Sequence, residues 1–362
     1  MSSDKPIYFK GLNGIRAIAS LLVVIWHTDR FVSLFGVIPK GFYNTGMASR
    51  AVDIFFVLSG FLITYLLFAE KEKTGTINFK KFYLRRVYRI WPIYYIITFL
   101  TLILMHFEII PKVNYALEST VLYIFMLANV AYALKIAITS INPLWSIGVE
   151  EQFYLIWPHI IKRASNYLKV FIWFYLAVLI VKIVCFKLFS VKMPSLVSFF
   201  YHWRLNIMAL GAMGAYLVFN KKKILSLVYR KEIQLLAWGI LLYSCLVKPI
   251  HFYTIIDSEI NSIFYLIIIL NVATNSKTLI SLENKVFNFI GQISYGIYIY
   301  HLTVIYVLVY LFKGVGINYF LVHILTLLIT IVVAKLSYRY IEIPFLKIKK
   351  KFAVVESSNV KQ

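Results

Sequence analysis

Leu12–Phe31 reads LNGIRAIASLLVVIWHTDRF. As α-helix at 1.5 Å per residue, this apolar run matches the thickness of a bilayer's hydrocarbon core, about 30 Å. Arg16 and His27 interrupt it. Eleven residues of helix turn through about three full turns plus some 20°, so the two side chains share one face, about 16 Å apart along the axis. An arginine and a histidine at membrane depth cost a few kcal/mol, so such residues normally point into a protein interior or a water-filled path. The pair predicts a membrane helix that carries part of a functional site.

The rest of the chain has the same character. Of 362 residues, 61% are hydrophobic, 17% aromatic and only 15% charged, where a soluble domain carries about a quarter charged residues. Mean hydropathy is +0.78. These values predict an all-α, polytopic integral membrane protein. Apolar stretches of bilayer length fall at about 12–33, 50–69, 90–107, 118–138, 167–189, 196–219, 233–251, 257–275, 286–312 and 318–341, ten in all. An eleventh candidate, LWSIGVEEQFYLIWP (144–158), carries two carboxylates and reads less well as a lipid-facing span.

Charge placement sets the expected topology. The net charge of +23 arises from 38 Lys+Arg against 15 Asp+Glu. The basic residues gather in KEKTGTINFKKFYLRR (71–86), NKKKILSLVYRKE (220–232) and KIKKK (347–351). Positive-inside bias accounts for these blocks, and nucleic-acid binding is not expected. All three fall on the cytoplasmic side if ten spans cross, 144–158 is re-entrant or buried near the cytoplasmic face, and both termini are inside. Cys185 and Cys245 sit in apolar runs without CxxC spacing and read as packing residues. No cleavable signal peptide is expected, because the first apolar run is too long for a signal core and contains ionisable residues. The membrane domain should cover 1–346, followed by a basic, partly disordered cytoplasmic tail over 347–362, with disorder from about Val354.

Four further constellations could carry chemistry. AVDIFFVLSGFLITYLL (51–67) places Asp53 near the start of a span and Ser59-Gly60 in its middle. Arg16, His27 or Arg50 are the natural partners of Asp53, whether in a site or a structural ion pair; the small pair could equally serve close helix packing. FYLRRVYRIWPIYY (82–95) sets Arg86 and Arg89 three apart, neighbours on one helix face where a cytoplasmic loop enters a span. Guanidinium pairs suit bidentate phosphate recognition, although a lipid-anchoring cluster has the same composition. Glu150 and Glu151 are the densest acidic feature at membrane depth, with Glu151 the better candidate to face solvent. Either could orient a histidine or handle a proton. ISYGIYIYHLTVIYVLVY (293–310) sets Ser294 and His301 seven apart, nearly on one face; a histidine there serves equally as a hydrogen-bonded core residue. Arg339 and Glu342 before Pro344 read as an ion pair closing the last helix. HExxH, Cys/His metal spacing, P-loop, GxGxxG and GxSxG patterns are all missing, so no metal site is expected.

Taken in order, Arg16-x10-His27, VDIFFVLSGFL, RRVYRIWPIYY, LWSIGVEEQFYLIWP, ISYGIYIYHLTV and IEIP resemble the membrane-bound acyltransferase 3 family over about residues 8–346. The resemblance implies an integral membrane O-acyltransferase of the bacterial cell (inner) membrane. It would move an acetyl group from acetyl-CoA, the donor co-substrate, to a hydroxyl of a cell-surface or secreted carbohydrate or glycolipid such as O-antigen or exopolysaccharide. It assigns catalytic positions to Arg16, His27, Asp53 and Glu150, and donor binding to Arg86 and Arg89, with Ser59 and His301 as further candidates. The family often shows a proline shortly after the histidine that matches His301; here Thr303 and Val304 stand in that region. An SGNH-type domain found after the membrane part in some members is not expected here, which leaves the reaction to the membrane part or to a partner. In this picture His27, oriented by an acidic partner, acts as general base or transient acyl carrier, and Arg16 stabilises an oxyanion or holds a phosphate. A transporter or flippase of a lipid-linked sugar is the alternative, since buried charges also gate a transport path.

Overall fold

The computed structural model describes residues 6–113, 115–248 and 250–355. The expected disordered end lies outside the described residues from 356 onward. Among the described residues every helix or strand element is helical: α1 (Leu12–Phe31), α2 (Met47–Thr74), α3 (Phe79–His106), α4 (Leu117–Ile124), α5 (Ala128–Ala133), α6 (Leu144–Arg163), α7 (Tyr167–Phe189), α8 (Pro194–His202), α9 (Leu205–Phe219), α10 (Ile224–Val228), α11 (Lys231–Leu246), α12 (Asp257–Thr274), α13 (Lys285–Gln292), α14 (Ser294–Leu311), α15 (Tyr319–Ser337) and α16 (Ile343–Lys350). Among the described residues six helical segments are long and apolar enough to cross a membrane: Leu12–Phe35, Met47–Thr74, Phe79–His106, Tyr167–Phe189, Ser294–Leu311 and Tyr319–Lys350. This is a membrane protein. α9 and α11, at 15 and 16 residues, are shorter than a full span.

One expected span is broken. The stretch 118–138 is not one helix: it breaks between α4 and α5, where Met126 takes a left-handed φ of 58°. α6, expected to be re-entrant or buried near the cytoplasmic face, is a continuous, partly buried helix of 20 residues. The break and the helix fit each other. A side chain at Gly148 would come within 2.9 Å of the Met126 carbonyl and the Asn129 amide. Asn129 and Gln152 exchange side-chain hydrogen bonds of 3.3 and 3.1 Å. Two further expected spans are jointed, α8 to α9 at Trp203-Arg204 and α13 to α14 at Ile293.

Polar anchors show which helix ends share a face of the bundle. At one end Lys71 Nζ donates to the Ile161 and Lys162 carbonyls, each at 3.1 Å, and Arg85 donates to the Phe352 carbonyl at 3.0 Å. Rings of Phe9, Tyr65 and Phe219 meet edge to face in series. Glu283 accepts from the Gly11 amide at 2.7 Å, from Tyr8 and from Asn288. Burial alone would raise the Glu283 pKa, but these bonds hold the carboxyl below its ordinary value. At the opposite end Asp29 accepts from the amides of Lys40 and Tyr43 and from the Tyr319 hydroxyl, pinning the α1–α2 connection. The basic stretches 71–86, 220–232 and 347–351 thus adjoin anchors of the first end. In the middle, α2 and α9 meet backbone to backbone: a Cβ on Gly60 would overlap the Met208 carbonyl, and one on Gly211 the Val57 carbonyl. Gly60 is a packing residue of the kind that lets membrane helices approach closely. Cys185 and Cys245 are buried and unbridged.

Candidate active site

α1, α2, α3, α6, α14 and α16 enclose a cavity of about 170 Å³, an order of magnitude beyond the room one water needs. Along α2 its wall runs from Val52 to Leu66, fourteen residues or about 21 Å of helix. Four cationic side chains line it, Arg16, Arg86, Arg89 and Lys349, against two carboxylates, Glu150 and Glu342. Cations therefore outnumber acids in the lining, which suits the cavity to an anion.

Helix geometry selects which arginines enter. Arg86 and Arg89, three apart on α3, both face the cavity. Arg85 is rotated away and pairs with Glu70 at 2.6 Å. The Arg86 guanidinium lies over the rings of Phe82 and Tyr154, at 5.9 and 5.7 Å, and its Nε is buried without a partner. Arg16 donates to Asn13 Oδ1 at 3.2 Å. Glu150 accepts from Ser59 Oγ at 2.8 Å and from the Tyr154 hydroxyl at 3.1 Å. Ser59 thereby enters the site through Glu150. Glu151, expected to face solvent, is half-buried and accepts from Trp91 Nε1 at 3.3 Å, because one step along α6 turns it about 100° from Glu150.

His27 is not in the cavity lining, and its partner is a second histidine. His301 Nε2 lies 3.2 Å from His27 Nδ1. Two carbonyls fix the protons. His301 Nδ1 is 2.7 Å from the Tyr298 carbonyl and His27 Nδ1 is 2.9 Å from the Val23 carbonyl, and a carbonyl can only accept. Both Nδ1 atoms are therefore donors. The single Nδ1 proton of His27 is shared between the Val23 carbonyl and His301 Nε2, and the basic lone pair of His27 is on Nε2. The expected acidic partner is thus replaced by His301. Tyr298 joins the two regions: it lines the cavity, its ring is 6.0 Å from that of His301, and its hydroxyl is 2.8 Å from Ser146 Oγ.

Asp53 lies apart from both. None of its expected partners holds it; its ion pair is with Arg204 Nε at 3.3 Å. Nearby, Lys182 pairs with Glu259 at 2.6 Å and Asn206 donates to the same carboxylate oxygen at 2.9 Å. All five side chains are buried, and two cations balance two anions. Such neutrality is what a low-dielectric interior demands. The expected Arg339–Glu342 pair is not made among the described residues: Tyr338–Glu342 forms a π-helical turn, Glu342 lines the cavity and the Arg339 guanidinium lies over Tyr340. The inserted residue of a π turn rotates the next stretch of helix by about 100° and sends Glu342 inward. Sequence reasoning misses Arg204, Lys182, Glu259, Glu342 as a cavity residue, and Lys349. The signal for the first three was visible: each is an ionisable residue inside an apolar stretch. Among the described residues no group of three or more His, Cys, Asp and Glu is placed to hold a metal ion.

The sequence profile of the acyltransferase 3 family, an acyltransferase domain, aligns with residues 9–339, and the chain belongs to that family. Among its relatives, a Staphylococcus aureus (strain COL) protein named "Putative O-acetyltransferase" is 32% identical over 371 residues, 95% of this chain and 58% of the relative. The O-acetyltransferase OatA of Staphylococcus aureus (strain NCTC 8325 / PS 47) is 29% identical over 372 residues, 94% of this chain and 58% of OatA. The chain thus spans just under three fifths of the length of these curated relatives. No solved structure matches.

Proposed function

We propose that this protein is an O-acetyltransferase of the bacterial inner membrane, taking its acetyl group from acetyl-CoA and delivering it to a hydroxyl of a surface or secreted carbohydrate. The observation that carries the reading is the elongated cavity, cationic at one end through Arg16, Arg86 and Arg89 and ending at Tyr298 beside the His27–His301 pair. Arginine forks suit the phosphates of CoA, and an apolar wall about 21 Å long suits an extended pantetheine arm. His27 Nε2 takes the proton of the acceptor hydroxyl as its oxygen attacks the thioester carbonyl. The C–O ester bond forms, the C–S bond breaks, and the proton passes to the departing CoA thiolate. Arg16 stabilises the oxyanion or a phosphate, and Glu150, held by Ser59 and Tyr154, fixes the cavity's polar wall.

In this reading α1, α2, α3, α6, α7, α9, α11, α12, α14 and α15 cross in alternation, ten in all, the short α9 and α11 together with the residues that flank them, and both termini lie on the cytoplasmic side. α6 takes the place given to 118–138, and the basic stretches stay together at the inner face. The family membership and the relatives' names support acyl transfer. The purified protein should consume acetyl-CoA faster when an acceptor polysaccharide is present. Equal rates with and without every acceptor tried, together with no labelled ester from radiolabelled acetyl-CoA, would overturn the proposal.

A further inference from the structure

The matched family domain ends at residue 339, but the cavity does not. Glu342, Leu346 and Lys349, on α16 and the turn before it, line its inner end. They are spaced four and three residues apart, so they form one helical face. The π turn at Tyr338–Glu342 sets that face toward the cavity.

The segment is fastened from outside. Arg85, already paired with Glu70, donates to the Phe352 carbonyl at 3.0 Å, and the Phe352 ring stacks on Tyr88 with centroids 5.7 Å apart and planes within 5°. The Phe345 ring stacks on the same tyrosine with centroids 6.5 Å apart. α16 is therefore clamped to α3, the helix that supplies Arg86 and Arg89.

We propose that residues 342–352 form a strap completing the donor cavity, in which Lys349 contributes a fourth cation to the phosphates of the donor. This rests on the donor reading given above. A lysine among three arginines, in a lining with only two carboxylates, is left with surplus positive charge that a polyanionic ligand would neutralise. The strap also gives the phosphates an inner boundary, so the ligand's adenosine end would exit past α16 and its arm would run along α2.

The test is CoA binding to the purified full chain in zwitterionic nanodiscs. Lys349→Gln should weaken CoA roughly tenfold, the loss typical of one charge-assisted contact. Lys349→Arg should bind within about twofold of wild type. Pantetheine, which has no phosphate, should bind wild type and Lys349→Gln alike. Phe352→Ala keeps every charge but loosens the clamp, and it should also weaken CoA. Unchanged CoA affinity in Lys349→Gln, while Arg86→Ala loses binding, would overturn the strap's role and leave the donor reading standing. No CoA binding by wild type would overturn both. Competition of phosphatidylglycerol with CoA, relieved in Lys349→Gln, would assign the lysine to a lipid headgroup and overturn the proposal.

Discussion

His301 Nε2 accepts the Nδ1 proton of His27 across 3.2 Å, joining α14 to α1. A neutral imidazole thus occupies the place that an orienting carboxylate takes in a Ser-His-Asp arrangement. A carboxylate would add charge to a buried site, whereas an imidazole sets the tautomer without adding any. His301 is itself oriented by the Tyr298 carbonyl, which accepts from its Nδ1 at 2.7 Å, so the chain of hydrogen bonds ends on the backbone of the helix whose side chain, Tyr298, closes the cavity.

His27→Ala should abolish acetyl transfer while the protein still inserts and accumulates. His27→Gln is more informative, because it keeps a polar shape but takes up no proton at neutral pH. Near wild-type turnover in the glutamine variant would remove His27 from proton transfer. His301→Ala, losing orientation rather than the base itself, should lower kcat by about 10- to 100-fold with little change in the donor KM. An effect confined to KM would mean that His301 only shapes the binding site.

Arg86→Ala and Arg89→Ala should raise the apparent KM for acetyl-CoA by roughly ten- to a hundredfold, the cost of a charge-assisted hydrogen bond lost from both ground state and transition state. Arg86→Lys should recover part of this, since an ammonium lacks the planar fork. Initial rates at varied donor concentration decide it: an unchanged KM with a lower maximal rate would place the arginines elsewhere in the reaction.

Asp53 and Arg204 are expected to be coupled in stability. Asp53→Asn leaves a buried guanidinium without its counter-charge, which costs about 3–5 kcal/mol. Asp53→Asn with Arg204→Met removes both charges and should recover much of that loss. Thermal unfolding in detergent measures it. If the single variant unfolds at the wild-type temperature yet is inactive, Asp53 acts in chemistry or substrate binding rather than in holding α2 to α9.

Gly60→Ala and Gly211→Ala test the α2–α9 contact. Each added methyl meets a backbone carbonyl, which cannot swing aside as a side chain can. Overpacking of this kind costs about 1–3 kcal/mol. Folded yield on size exclusion should fall for both, whereas Gly239→Ala, with nothing within 4 Å of the new methyl, should behave as wild type. Wild-type yield for Gly60→Ala would show that the helices can part without loss.

The helical class was legible from local periodicity, and Arg16, Arg86, Arg89 and Glu150 each stood out through the cost of charge at membrane depth, but it was the family resemblance, not periodicity, that put them in one set with His27 and Asp53. What escaped was long-range. The left-handed turn at Met126 has no glycine to announce it, so 118–138 read as continuous. Glu150 and Glu151 made α6 look unlike a span because their partners, Ser59, Tyr154 and Trp91, come from other helices or lie one turn away. Asp53 showed the need for a cation but not which one; Arg204 is 151 positions further along the chain. The cavity-facing side of α16 depends on a π turn that no simple period predicts.

Sidedness is the remaining expectation. Asn44 lies in the connection pinned by Asp29 at one end of the bundle, and Thr74 closes α2 at the other end, beside Lys71 and its bonds to the end of α6. If the end holding the basic stretches is cytoplasmic, Arg16 is near the inner face and His27 about 16 Å further out, so the acetyl group crosses part of the membrane before meeting an acceptor on the outer side. In a background lacking Cys185 and Cys245, Asn44→Cys should label with an impermeant maleimide in intact cells, and Thr74→Cys only after the membrane is permeabilised. Labelling of Thr74→Cys in intact cells would reverse the topology, put the cationic end outside and out of reach of cytoplasmic acetyl-CoA, and overturn delivery to an acceptor on the outer side.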